Sequence, residues 1–258
     1  MHPELSILVP VYNEVATVER LLDRVVHVSF GVDREIVVVD DGSTDGSRAV
    51  LARLASLGLI RYFEHKRNRG KGAAVRTAVA RARGRVLVVQ DADLELDPAD
   101  LPALLEPILN GETAVCYGTR FGHAVPAAFR RLPTYWANRG LNRLSNVING
   151  IGISDFNTCY KMMTADVMAQ IGLEAEGFSM EPEITAKVTR LGYRIVERPI
   201  RYTPRRRADG KKIRFQDLFA YLLAMVRYRF LWSPGRQPVK KASSLRWPSP
   251  LVSVKAVV

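Results

Sequence analysis

Four short apolar runs alternate with helix-period segments over residues 5–95, and this alternation restricts the fold more than any other feature of the chain. Leu5–Val11, Glu35–Val39, Leu59–Phe63 and Arg85–Gln90 are near-continuously apolar, the pattern of strands covered on both faces. After the first run, Val18, Leu21, Leu22, Val25 and Val26 fall on one helical face, with Glu19, Arg20, Asp23 and Arg24 on the other. Further helices are predicted from about Asp45 to Ser56 and from the His65–Gly72 loop to Arg83. Strands and helices at this spacing imply βαβ units, and so an α/β fold whose central sheet is mostly parallel and flanked by helices.

Beyond residue 98 the pattern loosens. Helices are predicted over Ala99–Leu109, Arg130–Gly150 and Pro182–Arg190, with strands at Thr113–Thr119 and Cys159–Met163 and short extended pieces at Arg194–Glu197 and Ile200–Thr203. A last amphipathic helix, Phe215–Trp232, carries Phe215, Leu218, Phe219, Leu222, Leu223, Val226 and Phe230 on one stripe. The expected division is 1–213 as one domain (halves 1–97 and 98–213), 214–232 as an interfacial helix and 233–258 as a flexible basic tail.

The end of the fourth run is chemically abrupt: Val86-Leu87-Val88-Val89-Gln90 is followed by Asp91-Ala92-Asp93-Leu94-Glu95. Open α/β sheets place ligands at the C-terminal ends of their strands. Clustered carboxyls repel one another unless a cation or proton neutralises them, and a hard divalent ion carrying a diphosphate is the economical partner. The plain alternative is an acidic loop ahead of the helix near Pro98. Pro10-Val11-Tyr12-Asn13-Glu14 and Asp40-Asp41-Gly42-Ser43 follow the first two strands and land on the same sheet edge. Asp41 suits a ribose hydroxyl or a base N–H; the plain alternative is a capped turn. Asn68-Arg69-Gly70-Lys71-Gly72 opens a helix, where glycines, a lysine and the helix N-terminus would favour phosphate, although a solvated loop has the same composition.

A net charge of +12 must face something anionic, whether nucleic acid, membrane surface or phosphate-rich substrate. Few aromatics lie among the basic clusters, so no nucleic-acid partner is expected. Cys116 and Cys159 lack metal-ligand spacing and read as buried free thiols. No leader is expected at the N-terminus, and no segment reaches the roughly 18 uninterrupted apolar residues of a membrane span.

Taken together, P-V-Y-N-E, V-D-D-G-S-T-D-G, N-R-G-K-G-A-A and D-A-D resemble, in order and spacing, the family 2 glycosyltransferases of the GT-A fold. Asp155-Phe156-Asn157-Thr158-Cys159-Tyr160-Lys161, Glu181-Pro182-Glu183-Ile184-Thr185-Ala186-Lys187 and Gly210-Lys211-Lys212-Ile213 are similar to the branch that makes polyprenyl- and dolichyl-phosphate sugars. The resemblance implies a Rossmann-like nucleotide half, an acceptor half and a hexosyltransferase that moves a sugar from a nucleotide-diphosphate sugar to a lipid phosphate. A UDP-sugar is favoured over GDP-mannose. It implies Mg2+ or Mn2+ at Asp93 and Glu95, with Asp91 orienting donor or metal. Glu95 stands where many members carry Gln, which leaves the metal preference open.

Pro10, Tyr12, Glu14 and Asp41 would hold the nucleoside, with Lys71 on the base or ribose side. Arg120 and Arg131 would place the acceptor phosphate, and the 205–212 segment, with Arg205, Lys211 and Lys212, would close as a lid or else simply be solvated. Asp155 is either a base, as for hydroxyl acceptors, or a structural acceptor, with the latter preferred. The expected location is peripheral, on the cytoplasmic face of a membrane, with a homo-oligomer or a membrane protein as further partners. A hydroxyl-glycosylating relative of the same fold is the first alternative. Processive synthases usually carry Q-x-x-R-W, whereas here Ser243 precedes Arg246-Trp247. A nucleotidyltransferase and a basic nucleic-acid-binding module are the others.

Overall fold

A computed structural model describes residues 3–122, 133–177, 179–204 and 215–233. Arg131, Arg205, Lys211, Lys212 and nearly all of the tail therefore lie outside the described residues.

The first half alternates as the periodicity implies: β1 (Leu5–Val11), α1 (Val18–His27), β2 (Arg34–Asp40), α2 (Ser47–Ser56), β3 (Arg61–Glu64), α3 (Lys71–Arg81) and β4 (Val86–Val89). After a 3-10 turn at Pro98–Asp100 come α4 (Leu101–Leu109), β5 (Val115–Thr119), α5 (Pro133–Asn149), β6 (Lys161–Thr164), α6 (Ala165–Ile171), α7 (Met180–Arg190), β7 (Ile195–Pro199) and α8 (Phe215–Val226), which runs into a π-helical turn at Arg227–Leu231. The sequence reading missed α6. Its signals are local: Thr164 caps the N-terminus by accepting from the Val167 N–H, and Gly172, left-handed at φ 53°, ends the helix.

One seven-stranded sheet runs in the order β3-β2-β1-β4-β6-β5-β7. Only β6 opposes its neighbours, pairing antiparallel with β4 and β5. Period-2 alternation divides the buried side chains between two cores. Ile7, Val9, Val38 and Val88 face α1, α2 and α4, whereas Leu8, Val37, Val39, Leu87 and Val89 face α3, α6, α7 and α8. Ala73, Ala74 and Ala78 let α3 lie close on the sheet.

The chain winds outward from β1 to β3 and then returns to place β4 on the other side of β1, so the switch point lies between β1 and β4. The β1–β4 ladder pairs only Leu5–Leu8 with Val86–Val89, and its last bond runs from the Gln90 N–H to the Leu8 carbonyl at 2.9 Å. The next donor due from β1 is residue 10, a proline without an N–H, so the strands part there and open a crevice. Pro10–Glu14 lies on one side of the opening and Asp91–Glu95 on the other. Because β5 and β7 point the same way as β4, Arg120 and Tyr202 reach the same edge, the latter through a bridge from Leu96.

Candidate active site

Two residues other than glycine have positive φ among the described residues, Asn13 at 51° and Leu94 at 60°. They sit in the loops after β1 and β4, one on each side of the crevice. Left-handed backbone costs a non-glycine residue roughly 1–2 kcal/mol and collects where function requires a particular turn. Asn13 is held by bonds to the second loop: its N–H donates to Ser43 Oγ at 2.9 Å and its Oδ1 accepts from the Thr44 N–H at 2.8 Å. Leu94 turns the chain between Asp93 and Glu95, and Asp93 Oδ1 accepts the Glu95 N–H at 3.1 Å.

The adjacent Asp40 and Asp41 divide the labour. Asp40, fully buried, caps its own turn by accepting from Gly42 and Ser43, and pairs with Arg48 at 3.1 Å. Asp41 clamps the third loop. Its carboxylate accepts the N–H groups of Arg69 at 2.9 Å and Gly70 at 2.7 Å and lies 2.7 Å from His65 Nδ1. That loop then meets α3, whose N-terminus was expected to be open to phosphate. Instead the Ala73 N–H donates to the Glu176 carbonyl at 3.1 Å. A Cβ on Gly70 or Gly72 would collide with the carbonyls of Glu176 or Ala175, so these glycines admit the protein's own backbone. Gly70 also has φ 94°. Gly70→Ala should therefore destabilise the fold by at least ~1–3 kcal/mol in urea unfolding, whereas Gly58→Ala, also at positive φ but facing open space, should cost less.

Lys71, expected on the base or ribose side, is held between two carboxylates. Its ammonium lies 2.8 Å from Asp91 and 3.4 Å from Glu181, and Glu181 is bound on its other oxygen by the buried Lys161. Burial opposes the charge on Lys71, yet Asp91 and Glu181 outweigh it and hold the amine above the usual lysine range. The two lysines and two carboxylates form a neutral chain from the crevice into the core. In the sequence Lys161 and Glu181 stand out only as parts of family-like segments, because nothing in their spacing announces an ion pair.

With Asp91 drawn to Lys71, the three carboxylates do not act as one set. Among the described residues no three His, Cys, Asp or Glu side chains converge as a metal cage. Asp93 and Glu95 remain at the mouth. Mg2+ and Mn2+ suit this arrangement, because such ions are commonly held by one or two carboxylates together with substrate phosphates and water.

After β5, Arg120 forms a bidentate pair with Asp155 through Nε at 2.7 Å and Nη2 at 2.8 Å, and its N–H donates to the same carboxylate at 3.1 Å. The pair is almost fully enclosed, with 10% and 1% of the side chains exposed. Burial works against the arginine's charge, but Asp155 overrides it and keeps the guanidinium protonated. Glu197 braces Asp155 from below by accepting the N–H groups of Ser154 at 2.8 Å and Asp155 at 3.1 Å. The Arg120 guanidinium also lies 5.1 Å from the Tyr202 ring and 5.8 Å from Phe121. Burial and the Glu95 carboxylate raise the Tyr202 phenol, so Tyr202 links the acidic loop to the arginine.

The sequence profile of the glycosyl transferase family 2 matches residues 6–172, most of the chain. The chain belongs to glycosyl transferase family 2. Relatives of this family 2 protein include the dodecaprenyl-phosphate galacturonate synthase of Rhizobium johnstonii, 33% identical over 72% of this chain and 55% of that one. The dolichol-phosphate mannosyltransferase of Pyrococcus furiosus is 27% identical over 87% of this chain and 63% of that one. The family 2 chain thus spans between half and two thirds of the length of these relatives. Among solved structures, glucosyl-3-phosphoglycerate synthase from Mycobacterium tuberculosis with UDP superposes with a TM-score of 0.66 at 22% identity, covering 88% of this chain and 80% of that one. The same enzyme with Mn2+, UDP and glucosyl-3-phosphoglycerate gives 0.64 at 21%, with the same coverage. The fold is GT-A.

Proposed function

We propose that this family 2 protein transfers a hexose from a nucleotide-diphosphate sugar, UDP-linked rather than GDP-linked, to a polyprenyl phosphate at a membrane surface. The observation that carries the reading is the pairing of a strained, carboxylate-bearing crevice with a braced arginine one aromatic ring away. The names of the sequence relatives, which specify polyprenyl or dolichol phosphates, support it. The donor's base and ribose enter between the loops after β1 and β2, where Pro10, Tyr12, Glu14 and Asp41 border the crevice. Its diphosphate faces Asp93 and Glu95, which would hold Mg2+ or Mn2+. When bound, that ion offsets the negative charge gathering on the leaving diphosphate.

The acceptor phosphate is already anionic near neutral pH, so no proton has to be removed from it. One of its oxygens forms the new bond to C1 of the sugar as the bond from C1 to the diphosphate oxygen breaks, with inversion. The work of this chain is then to hold two anionic groups in line at the sugar. Asp155 supports this acceptor over a hydroxyl. A general base must reach the proton it takes, and the oxygens of Asp155 are occupied by Arg120 while its side chain is 1% exposed.

Membrane contact is supported by α8. Its inward face is Tyr221, Ala224, Met225 and Tyr228, whereas Phe219, Leu223, Val226 and Phe230 point outward, as do Trp136 and Val147 of α5. These residues suit insertion at an interface, flanked by Arg227 and Arg229. Among the described residues no helix is long and apolar enough to cross a membrane.

The test is a donor panel of UDP-glucose, UDP-galacturonate and GDP-mannose, with a polyprenyl phosphate and Mn2+ or Mg2+. The expected products are a sugar-phosphate lipid and a nucleoside diphosphate. Release of pyrophosphate would point to a nucleotidyltransferase, and transfer only to hydroxyl acceptors would overturn the lipid-phosphate reading.

A further inference from the structure

Arg120 was the leading cation for the acceptor, yet its charge is cancelled by Asp155. A phosphate that enters beside it gains little net attraction from a neutral pair. The same ring that Arg120 borders carries a second guanidinium: Arg139 of α5 lies 5.5 Å from the Phe121 centroid, against 5.8 Å for Arg120. Arg139 is half-buried, and among the described residues it has no carboxylate and no hydrogen-bond acceptor, only this ring. The cation–π contact is worth about 0.5–1 kcal/mol at such a site and leaves the five N–H donors without a hydrogen-bond acceptor among the described residues.

The position of Arg139 is set by its surroundings. Asn157 Nδ2 donates to Asn138 Oδ1 at 2.9 Å, which ties this turn of α5 to the segment that carries Asp155. One turn further along α5, Asn142 accepts the Phe156 N–H at 3.0 Å and donates to the Ile153 carbonyl at 2.8 Å. Tyr135 meets Phe121 edge-on at 5.6 Å, and Trp136 meets Tyr135 at 5.2 Å. Trp136 itself is 67% exposed. An aromatic ledge therefore leads from the surface to Phe121, which borders both the paired Arg120 and Arg139, an arginine with no carboxylate partner among the described residues.

We infer that Arg139 is the residue that captures the anionic head of the acceptor, a phosphate monoester on a hydrocarbon chain, and passes one of its oxygens toward the sugar beside the Arg120–Asp155 pair. This rests on the lipid-phosphate reading above and adds a residue and a division of roles: Arg139 supplies net charge, and Arg120 supplies fixed geometry. A planar fork with free donors suits two phosphate oxygens, and Phe121 keeps the fork oriented without competing for its N–H groups.

The experiment uses the full chain with geranyl phosphate as acceptor and the same three donors. In Arg139→Gln the KM for geranyl phosphate is expected to rise about 10- to 100-fold, the range for losing charge-assisted hydrogen bonds to an anion, with UDP affinity and thermal midpoint unchanged. Arg139→Lys should recover part of the loss, because it restores the charge but not the fork. Calorimetric binding of geranyl phosphate without donor should weaken in parallel, and geraniol should show no difference between the variants. An unchanged KM in Arg139→Gln, in a wild type that does transfer, overturns the role of Arg139 and leaves the lipid-phosphate reading standing. No transfer and no binding of geranyl phosphate by the wild type overturns both.

Discussion

Asp93→Ala should abolish sugar transfer, by at least about 1,000-fold in kcat/KM, while the protein stays folded. The side chain stands at the mouth of the crevice, only partly buried, and its bond to the Glu95 N–H closes a local turn. Removing it also takes one charge from an acidic loop, so the unfolding free energy should change by no more than ~0.5 kcal/mol, as for surface sites in general. On the proposed reading, the leaving diphosphate would lose a carboxylate placed to hold a cation against it. A factor of 1,000 corresponds to about 4 kcal/mol of transition-state stabilisation, within what a bound divalent ion supplies. Chelation with EDTA should silence the wild type to a similar degree, and Mn2+ should restore it. Transfer above a tenth of the wild-type rate in Asp93→Ala, or full activity in EDTA, would remove Asp93 and the metal from the reaction.

The second large effect concerns stability as well as activity. Asp155→Ala leaves the Arg120 guanidinium enclosed without its counter-ion and also strips an acceptor from the Arg120 N–H. Breaking a buried pair from one side costs about 3–5 kcal/mol. For a chain of this size that is a fall of roughly 6–20 °C in the thermal midpoint. The double variant Arg120→Met/Asp155→Leu removes both charges, and an apolar pair of similar volume should restore most of the stability. Acceptor use should not return with it, because the fixed guanidinium next to Tyr202 and Glu95 is gone. A double variant that melts like the wild type and transfers like the wild type would show that the pair only holds the fold together.

Much of the site was legible because its signals are local. A strand that ends in carboxylates, a proline before a loop and glycines at a helix start are short-range patterns, and the parallel sheet carries them to one edge. The charged pairs were not legible. Arg120 and Asp155 are 35 residues apart, and Lys71 and Glu181 are 110 apart. A lone arginine reads equally well as a free cation or as half of a neutral pair. The Arg120–Asp155 pair, the Lys71–Asp91 pair and the place of Arg139 beside Phe121 each depend on which segments the fold brings side by side. The same holds for α8. Its sequence puts Phe219, Leu223, Val226 and Phe230 on one apolar stripe, and it is the packing of Tyr221, Ala224, Met225 and Tyr228 on the domain that leaves this stripe exposed.

The amino-acid pattern by itself determined the alternating α/β frame and the sheet edge to which its motif-bearing loops run, because strand and helix periods and turn chemistry act over a few residues. Only the tertiary structure decided which carboxylates and cations pair and which side of the last helix meets solvent. Those outcomes follow from desolvation and close approach between distant segments, and neither exists until the chain has packed.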